Sequence, residues 1–452
     1  MGKDDEELSR RELLKQTAAL AALAVAGASC SGDDDDAQAA AGNSGSGQGQ
    51  SGQGQSGQSG QAQSGSGSAA GSNAAAGGGS GRGSGGTSAG AGGNAPRAGS
   101  GAGSGGTDAN PPEAGSMATS GSGGSGNDSR IKVATVRRPD LDEAVALAVQ
   151  LAGGLDEIQE GQSVFIKINA VSDRMIGTPG IRTSNEMMAA VIRLVKTRKP
   201  GKIIVGDRSA RQFPNTMQVF QNAGIVAAAM AAGADEIYAA QSPTAAAAEW
   251  MMMQPPGYDM TWNSAGGILA MKKLLDADHL VNVPTCKNHR FALHSLSMKN
   301  FIGAIGDSSR DVLHYAETAG GNFESICRDI AVLNQMFSPL INILDATTAL
   351  INGGPQGDGS DAVRTTPGLV MASKNRVAID AMAISLIKLE LGRTTIPQPD
   401  AAHPVLMSTK PFALPQLLHG SMRGIGPASA TDIDLLFDDV PDAAALEMIY
   451  RS

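Results

Sequence analysis

From Ile131 onward, apolar residues alternate between short continuous runs and longer runs at helical spacing. The short runs predict strands and the longer ones predict helices. The predicted strands are Ile131 to Val136, Ser163 to Ile168, Lys202 to Val205, His279 to Val283, Leu340 to Leu344, Leu369 to Ala372 and, at an edge, Ile433 to Phe437. The predicted helices are Leu141 to Leu151 after the capping Asp140, Asn185 to Thr197, Met217 to Asn222, Phe323 to Asn334 and Val377 to Leu389.

This alternation of strands with helices predicts an α/β fold with a mainly parallel sheet and helices on both of its faces. Unbroken apolar runs such as Lys202 to Val205 are typical of strands that are buried on both sides. Ligands of such sheets bind beyond the carboxyl ends of the strands. Polar residues that directly follow the strands are therefore the candidates for a functional site.

Residues 31–129 lack any such pattern. Between Ala37 and Asn127 the charged or large apolar residues are Arg82, Arg97, Asp108, Glu113 and Met117. A stretch of Gly, Ser, Ala and Gln buries too little apolar area to offset roughly 1 to 2 kcal/mol of backbone entropy per ordered residue. The composition predicts a disordered linker of ~90 residues with a root-mean-square span on the order of 50 Å. Residues 130–452 form the predicted folded domain.

Residues 1–30 have the pattern of an export signal. The segment Ser9-Arg10-Arg11-Glu12-Leu13-Leu14-Lys15 resembles the twin-arginine consensus. The apolar run that follows it ends at Gly27. That run is shorter than the ~20 residues that span a bilayer. Gly27-Ala28-Ser29-Cys30 resembles a lipoprotein cleavage box, with Gly where Leu is usual. We expect lipidation of Cys30, the alternative being simple cleavage after a small residue.

These signals predict an exported protein, periplasmic or on the cell surface, whose partners are the twin-arginine export machinery and a membrane bound through lipidated Cys30. The net charge is −9, and no basic cluster lies outside the N-terminus, so we expect no nucleic-acid partner. Besides Cys30 the chain has only Cys286 and Cys327. Two cysteines cannot supply an all-cysteine iron–sulfur site, and we expect free thiols rather than a disulfide.

Polar groups follow four of the predicted strands. They are Lys167-Ile168-Asn169, Gly206-Asp207-Arg208-Ser209, Pro284-Thr285-Cys286-Lys287-Asn288-His289, and Asp345 with the later Gly353-Gly354-Pro355-Gln356-Gly357. A single residue of this kind is commonly a cap or turn former. Groups at four strand ends instead predict one shared site.

The same segments resemble, in order and spacing, the motifs of the family called domain of unknown function 362. Further matching segments are Ala277 to Pro284, Met298-Lys299-Asn300-Phe301-Ile302-Gly303, His314, and Ala372-Ser373 followed by Val377 to Asp380. The family has no general reaction, and some of its members carry a ferredoxin-like module. This chain lacks the Cys-x-x-Cys-x-x-Cys run of those members, so no iron–sulfur cluster is expected. Ile168 replaces the proline of the family's Lys-Pro-Asn motif.

Three lysines, Lys167, Lys287 and Lys299, would bring like charges into one crevice, which favours a small anionic ligand. The predicted ligand-binding residues are Lys167, Asn169, Asp207, Lys299, Asn300, Gly354 and Gly357. The glycine-rich loop either lets backbone N–H groups approach an anion or is a simple turn.

Imidazole titrates near neutral pH and binds metals. The predicted catalytic residues are Lys287, His289 and His314, with His294 ranked below the other histidines. A metal ion, if one is bound, is assigned to His289, His314 and Asp345, because imidazole and carboxylate are suitable ligands; the cofactor itself is unknown. Asp380 is expected to be a cap or packing partner, and Met251 to Met253 a packed loop rather than a soft-metal site.

Two main functions are compatible with these residues. The first is an enzyme, metal-assisted or not, that acts on a small anion, with an open reaction type. The alternative is a non-catalytic solute- or metal-binding lipoprotein that the linker presents at a membrane. A structural surface protein is disfavoured because folding alone does not require lysines at buried strand ends.

Overall fold

The computed structural model describes residues 130–173, 178–256, 266–318, 323–357 and 359–452, apart from the side chains of 312 and 314–318. The predicted signal, Cys30 and the predicted linker lie outside these residues. Within them, no helix combines the length and the apolar character needed to cross a bilayer.

Among the described residues, eleven strands form one sheet and two antiparallel strands form a second sheet. In chain order the strands are β1 Ile131–Val136, β2 Ser163–Ile168, β3 Lys202–Asp207, β4 Glu236–Ala239, β5 Trp250–Met253, β6 Ile268–Met271, β7 His279–Val283, β8 Thr285–His289, β9 Leu293–Ser295, β10 Ile341–Asn352, β11 Val363–Thr365, β12 Leu369–Ser373 and β13 Ile433–Asp438.

The large sheet has the strand order β13-β1-β12-β10-β7-β2-β3-β4, with β8 and β11 also pairing with β10, and β9 pairing with β8. The run β10-β7-β2-β3-β4 is parallel throughout. Antiparallel pairing is confined to β12, β11 and β9 with their neighbours. The mainly parallel α/β sheet that the sequence predicted is therefore confirmed, and β13 lies at the predicted edge.

Helices cover both faces of this sheet. They are α1 Leu141–Leu151, α2 Asn185–Lys196, α3 Thr216–Asn222, α4 Ile225–Ala232, α5 Lys272–Leu275, α6 Asp307–Thr318, α7 Phe323–Leu333, α8 Arg376–Arg393, α9 Ala402–Ser408, α10 Pro415–Met422 and α11 Ala443–Tyr450. One apolar core packs α1, α2 and α4 against the sheet, and a second packs α7, α8 and α10. Helix α1 begins as predicted, with the Asp140 carboxylate accepting from the Glu143 N–H.

Several short strands and helices, such as β4, β9, α4 and α10, were not predicted. Three further differences concern segments whose structure the sequence had predicted. Thr285–His289 is a strand, although its polar sequence indicated a loop after β7. Strand β10 continues to Asn352, well past Leu344. Met251 to Met253 belong to the two-stranded β5–β6 sheet and not to a packed loop, with Met251 and Met252 exposed. The polar strand β8 was not predicted because its buried polar side chains are hydrogen-bonded to residues far away in the sequence. A local hydrophobic pattern does not show such contacts.

Candidate active site

Lys167, at the end of β2, forms a buried ion pair with Asp207, at the end of β3. The Lys167 Nζ atom lies 2.6 Å from Asp207 Oδ1 and donates to the carbonyl oxygens of Ile168 and Asn300 at 2.8 and 3.0 Å. Asp207 Oδ2 accepts from the Ala170 N–H at 2.6 Å. Burial lowers the pKa of Lys167, and the Asp207 carboxylate opposes that shift. Three oxygens thus surround this ammonium group, one of them charged.

Gly303 closes this ion pair from the opposite side. A Cβ atom at this position would lie 1.9 Å from Asp207 Oδ1 and 2.6 Å from Lys167 Nζ. The Gly303 carbonyl also accepts from the Arg208 N–H at 3.1 Å. The predicted ligand-binding residues Lys167 and Asp207 are therefore together, and they engage each other.

Lys287, on β8, is equally buried but has different partners. Its Nζ atom donates to the carbonyl oxygens of Ile181 and Pro355 at 2.6 and 3.2 Å. No carboxylate contacts it within the described part of the chain. Desolvation lowers its pKa to about 7, and repulsion from Lys299 adds to the effect. Lys287 thus differs from Lys167 in having no carboxylate in hydrogen-bond contact among the described residues, although the more distant Asp207 charge opposes part of the shift.

Lys299 begins the 3-10 helix Lys299–Ala304 and is itself buried. The turn that leads into it is fixed by Asp380 of α8, which accepts from the N–H groups of Ser297 and Met298 at 2.8 and 2.9 Å. Burial raises the pKa of Asp380 to about 7. Asp380 thus holds the backbone of a neighbouring segment and does not cap its own helix.

A row of amide side chains leads away from the ion pair through the sheet. Asn169 Nδ2 donates to Asn300 Oδ1 at 3.2 Å, Asn300 Nδ2 to Asn282 Oδ1 at 2.8 Å, and Asn282 Nδ2 to Asn342 Oδ1 at 2.9 Å. Asn342 Nδ2 then reaches the Ser373 carbonyl at 3.1 Å. The predicted residues Asn169 and Asn300 therefore lie side by side, and Asn282 and Asn342 are members of the row that the sequence did not single out.

The glycine-rich loop after β10 directs its backbone N–H groups into the protein. Gly353 N donates to Asp400 at 2.9 Å, Gly354 N to Asn288 Oδ1 at 2.8 Å, and Gly357 N to the Gly353 carbonyl at 3.2 Å. The loop contributes to the crevice mainly through the Pro355 carbonyl, which holds Lys287.

The predicted histidines have different surroundings. His289 Nδ1 accepts from the N–H groups of Phe291 and Ala292 at 3.2 Å each. His314 lies in α6, and its side chain is outside the described residues. His294 is fully buried, and neither ring nitrogen has a hydrogen-bond partner among the described residues. Burial and the Lys299 charge lower its pKa to about 3, so the ring is neutral.

Asp345 holds the start of α2. Its Oδ2 accepts from the N–H and hydroxyl of Ser184 at 2.9 and 2.7 Å, and its Oδ1 accepts from the N–H and hydroxyl of Thr347 at 3.1 and 2.6 Å. Among the described side chains no three His, Cys, Asp or Glu residues form a group that could hold a metal ion. Because the His314 side chain lies outside that set, the metal site of His289, His314 and Asp345 stays a prediction.

Two buried arginines and two cysteines complete the surroundings. Arg208 pairs with Asp307 at 2.9 Å, and Arg310 donates to the carbonyl oxygens of Ile305, Ser209 and Arg208. The sequence had placed Arg208 among the polar groups that follow the predicted strands, but it had not indicated Arg310. Cys286 and Cys327 are buried free thiols, as expected.

Comparison with known proteins gives a family and a few distant relatives. The model of the family described as Domain of unknown function (DUF362) matches residues 164–385. A thylakoid-associated protein of Synechocystis sp. is 24% identical over 270 residues, which cover 58% of this chain and 76% of that protein.

Two solved structures are similar at low identity. The lactate racemase apoprotein from Thermoanaerobacterium thermosaccharolyticum has a TM-score of 0.33 and 13% identity, over 54% of this chain and 56% of that one. A Thermotoga maritima protein has a TM-score of 0.32 and 12% identity, over 50% and 53%. The chain thus spans little more than half the length of either. The motifs from Lys167 to Asp380 all lie inside residues 164–385, the segment that matches the DUF362 family model.

Proposed function

We propose that this domain binds a small anion, a carboxylate or a phosphate, in the crevice at Lys287 and Lys299. The observation that carries the proposal is the unequal pairing of the buried lysines. Lys167 has the Asp207 carboxylate at 2.6 Å, whereas the partners of Lys287 among the described residues are two neutral carbonyl oxygens. An ammonium group has three N–H donors, so a protonated Lys287 has one donor left for a ligand.

The charges around Lys287 favour an anion over a neutral ligand. Lys299 repels the Lys287 ammonium and thereby lowers the pKa of Lys287. An anion placed against both lysines would remove that repulsion and replace the hydration that burial took away. Relief of the repulsion between the two lysines would therefore add to the free energy of anion binding.

The test is isothermal titration calorimetry of the full-length protein with inorganic phosphate and with simple mono- and dicarboxylates. We expect Lys287→Met to weaken binding of the preferred anion at least about tenfold, since one buried charge-assisted hydrogen bond is worth roughly 1.5 to 3 kcal/mol. Lys287→Arg should retain part of the affinity. The matched control is Lys272→Met, which removes an exposed lysine paired with Asp276 and should leave binding unchanged.

The pH dependence of the same titration gives a second readout. The pKa of Lys287 is about 7 in the free protein, and a bound anion would raise it. Between about pH 6 and 7 both Lys287 and a simple carboxylate ligand are already charged, so the affinity for the carboxylate should be level. Above pH 7 binding must take up a proton, and the association constant should fall by about tenfold per pH unit. Unchanged affinity in Lys287→Met, or affinity that rises above pH 7, would overturn the proposal.

We also propose that the N-terminal segment exports the protein and anchors it to a membrane through Cys30. The support is the twin-arginine motif with the cleavage box at Cys30; a relative is named for association with thylakoids. In a bacterium with twin-arginine export, replacing Arg10 and Arg11 by lysine should leave the precursor in the cytoplasm. Cys30→Ala should release exported protein from the membrane fraction. Mass spectrometry of the mature N-terminal peptide checks acylation, and an unmodified, membrane-bound Cys30→Ala protein would contradict the anchor.

A further inference from the structure

We propose that a cavity beyond the carboxyl ends of β1 and β13 binds a carboxylate that carries a short aliphatic tail. This cavity is separate from the crevice at Lys287 and shares no lining residue with it. Its volume is about 250 Å³, whereas pockets for drug-sized molecules have roughly 300 to 1,000 Å³. The cavity therefore suits a small molecule.

The position of the cavity follows from the order of strands in the sheet. β1 and β13 pair in parallel along their whole length. Arg137 directly follows β1, and Val440 and Pro441 come soon after β13. Leu369, the first residue of the antiparallel neighbour β12, completes this side of the cavity. Because ligands of α/β sheets bind beyond the carboxyl ends of parallel strands, this end of the sheet is a second place at which a ligand is expected.

The floor of the cavity is apolar. It is formed by three buried leucines, which are Leu369 of β12, Leu386 of α8 and Leu446 of α11. Pro367 and Val440 extend this apolar surface toward solvent. An aliphatic tail that leaves water for such a surface gains free energy in proportion to the area that it buries.

The rim of the cavity has two arginines, and one of them is already paired. Arg393 donates to Asp442 at 2.8 Å and also pairs with Glu390. Arg137 is exposed, and its guanidinium group has no hydrogen bond or ion pair among the described residues. Its Nε atom lies 3.7 Å from the place of a Cβ atom on Gly368, in the loop that leads to β12. One uncompensated positive charge therefore lies beside an apolar cavity.

These charges select the ligand and its orientation. A guanidinium group binds a carboxylate through two parallel hydrogen bonds, so Arg137 holds the charged end of the ligand. Asp442 also lines the cavity, and its carboxylate repels an anion even while Arg393 pairs with it. The carboxylate of the ligand therefore lies at Arg137, and the tail lies against the three leucines. Inorganic phosphate matches the arginine but leaves the apolar floor without a partner.

The test is isothermal titration calorimetry of the full-length protein with acetate, butyrate and hexanoate, and with butanol as a neutral probe. Excess inorganic phosphate is present to occupy the crevice at Lys287. We expect the association constant to rise about fourfold for each added methylene group until the cavity is full, which corresponds to roughly 0.8 kcal/mol per methylene. Butanol should bind more weakly than butyrate, because it has no charge for Arg137.

Substitution of the arginine tests the charged end of the ligand. Arg137→Gln should weaken hexanoate binding about fivefold, an effect between those of an exposed ion pair and a buried charge-assisted hydrogen bond. The matched control is Arg138→Gln. Arg138 is the next residue, pairs with Asp438 and does not line the cavity, so its loss should leave hexanoate binding unchanged. Phosphate binding at the crevice should survive Arg137→Gln, which separates this site from the proposed function.

Three results would overturn the inference. They are an affinity that does not change with the length of the tail, butanol that binds as tightly as butyrate, and equal losses in Arg137→Gln and Arg138→Gln. The first two are measured on the wild-type protein, so they are decisive even if a variant fails to fold. None of the three bears on phosphate binding at Lys287.

Discussion

Lys167→Met is expected to lower the free energy of unfolding by about 3 to 5 kcal/mol, because it leaves the Asp207 carboxylate buried without its counter-charge. Asp207 is 2% exposed and Lys167 is fully buried, so water cannot replace the lost ammonium. The two carbonyl oxygens that Lys167 holds would lose their donor as well. Equilibrium denaturation by guanidinium chloride, followed by circular dichroism, measures the effect.

The double variant Lys167→Met/Asp207→Asn is the control for this interpretation. Asparagine keeps an oxygen for the Ala170 N–H and removes the uncompensated charge. We expect the double variant to lose at least about 2 kcal/mol less than the sum of the two single losses, since residues in direct contact are energetically coupled. Strict additivity would mean that the two groups do not stabilise each other.

Gly303→Ala is expected to destabilise the protein by about 2 to 3 kcal/mol, because the added methyl group overlaps the same ion pair. The new Cβ would lie 1.9 Å from Asp207 Oδ1, so either the carboxylate or the 3-10 helix Lys299–Ala304 must move. Movement of that helix would also displace Lys299 and weaken anion binding. Denaturation and phosphate titration of the same sample separate the two consequences.

Gly392→Ala provides a matched control for the loss of a glycine. Gly392 lies in α8, is exposed and has no atom within 4 Å of an added Cβ. Alanine there should raise the free energy of unfolding by about 0.5 to 1 kcal/mol, because it restricts the unfolded chain and favours the helix. Equal losses in Gly303→Ala and Gly392→Ala would contradict the steric explanation.

The strands and helices of the central sheet could be predicted because their apolar periodicity is local. β1, β2 and β7 have the predicted bounds, since each is a short apolar run flanked by turn formers. β8 could not be predicted in this way. All five of its residues are buried, yet Lys287 and Asn288 find their partners 106 and 112 residues away along the chain. A local sequence pattern therefore cannot predict a buried strand whose polar side chains are paired with residues of distant loops.

The structure shows which of the predicted site residues contact each other, whereas their roles stay predictions. The rule for parallel sheets placed Lys167 and Asp207 at adjacent strand ends, and the structure brings them into contact. The same rule placed Asp345 at a strand end, but Asp345 lies inside β10 and holds the start of α2 through Ser184. Whether a carboxylate takes part in the site or begins a helix depends on its hydrogen-bond partners, and the Ser184 N–H that binds Asp345 is 161 residues away along the chain. Residue type and strand position alone cannot supply that information.

The row of amides gives each member a fixed orientation. Each Nδ2 group from Asn169 through Asn282 donates to the next amide of the row, Asn300 Nδ2 also donates to the Lys167 carbonyl at 3.3 Å, and Asn342 Nδ2 reaches the Ser373 carbonyl. Asn169 is thereby oriented with its nitrogen toward Asn300, and its oxygen, which has no partner among the described residues, points the other way. Backbone pairing deep in the sheet thus selects which atom of a side chain at the crevice is left to accept a hydrogen bond.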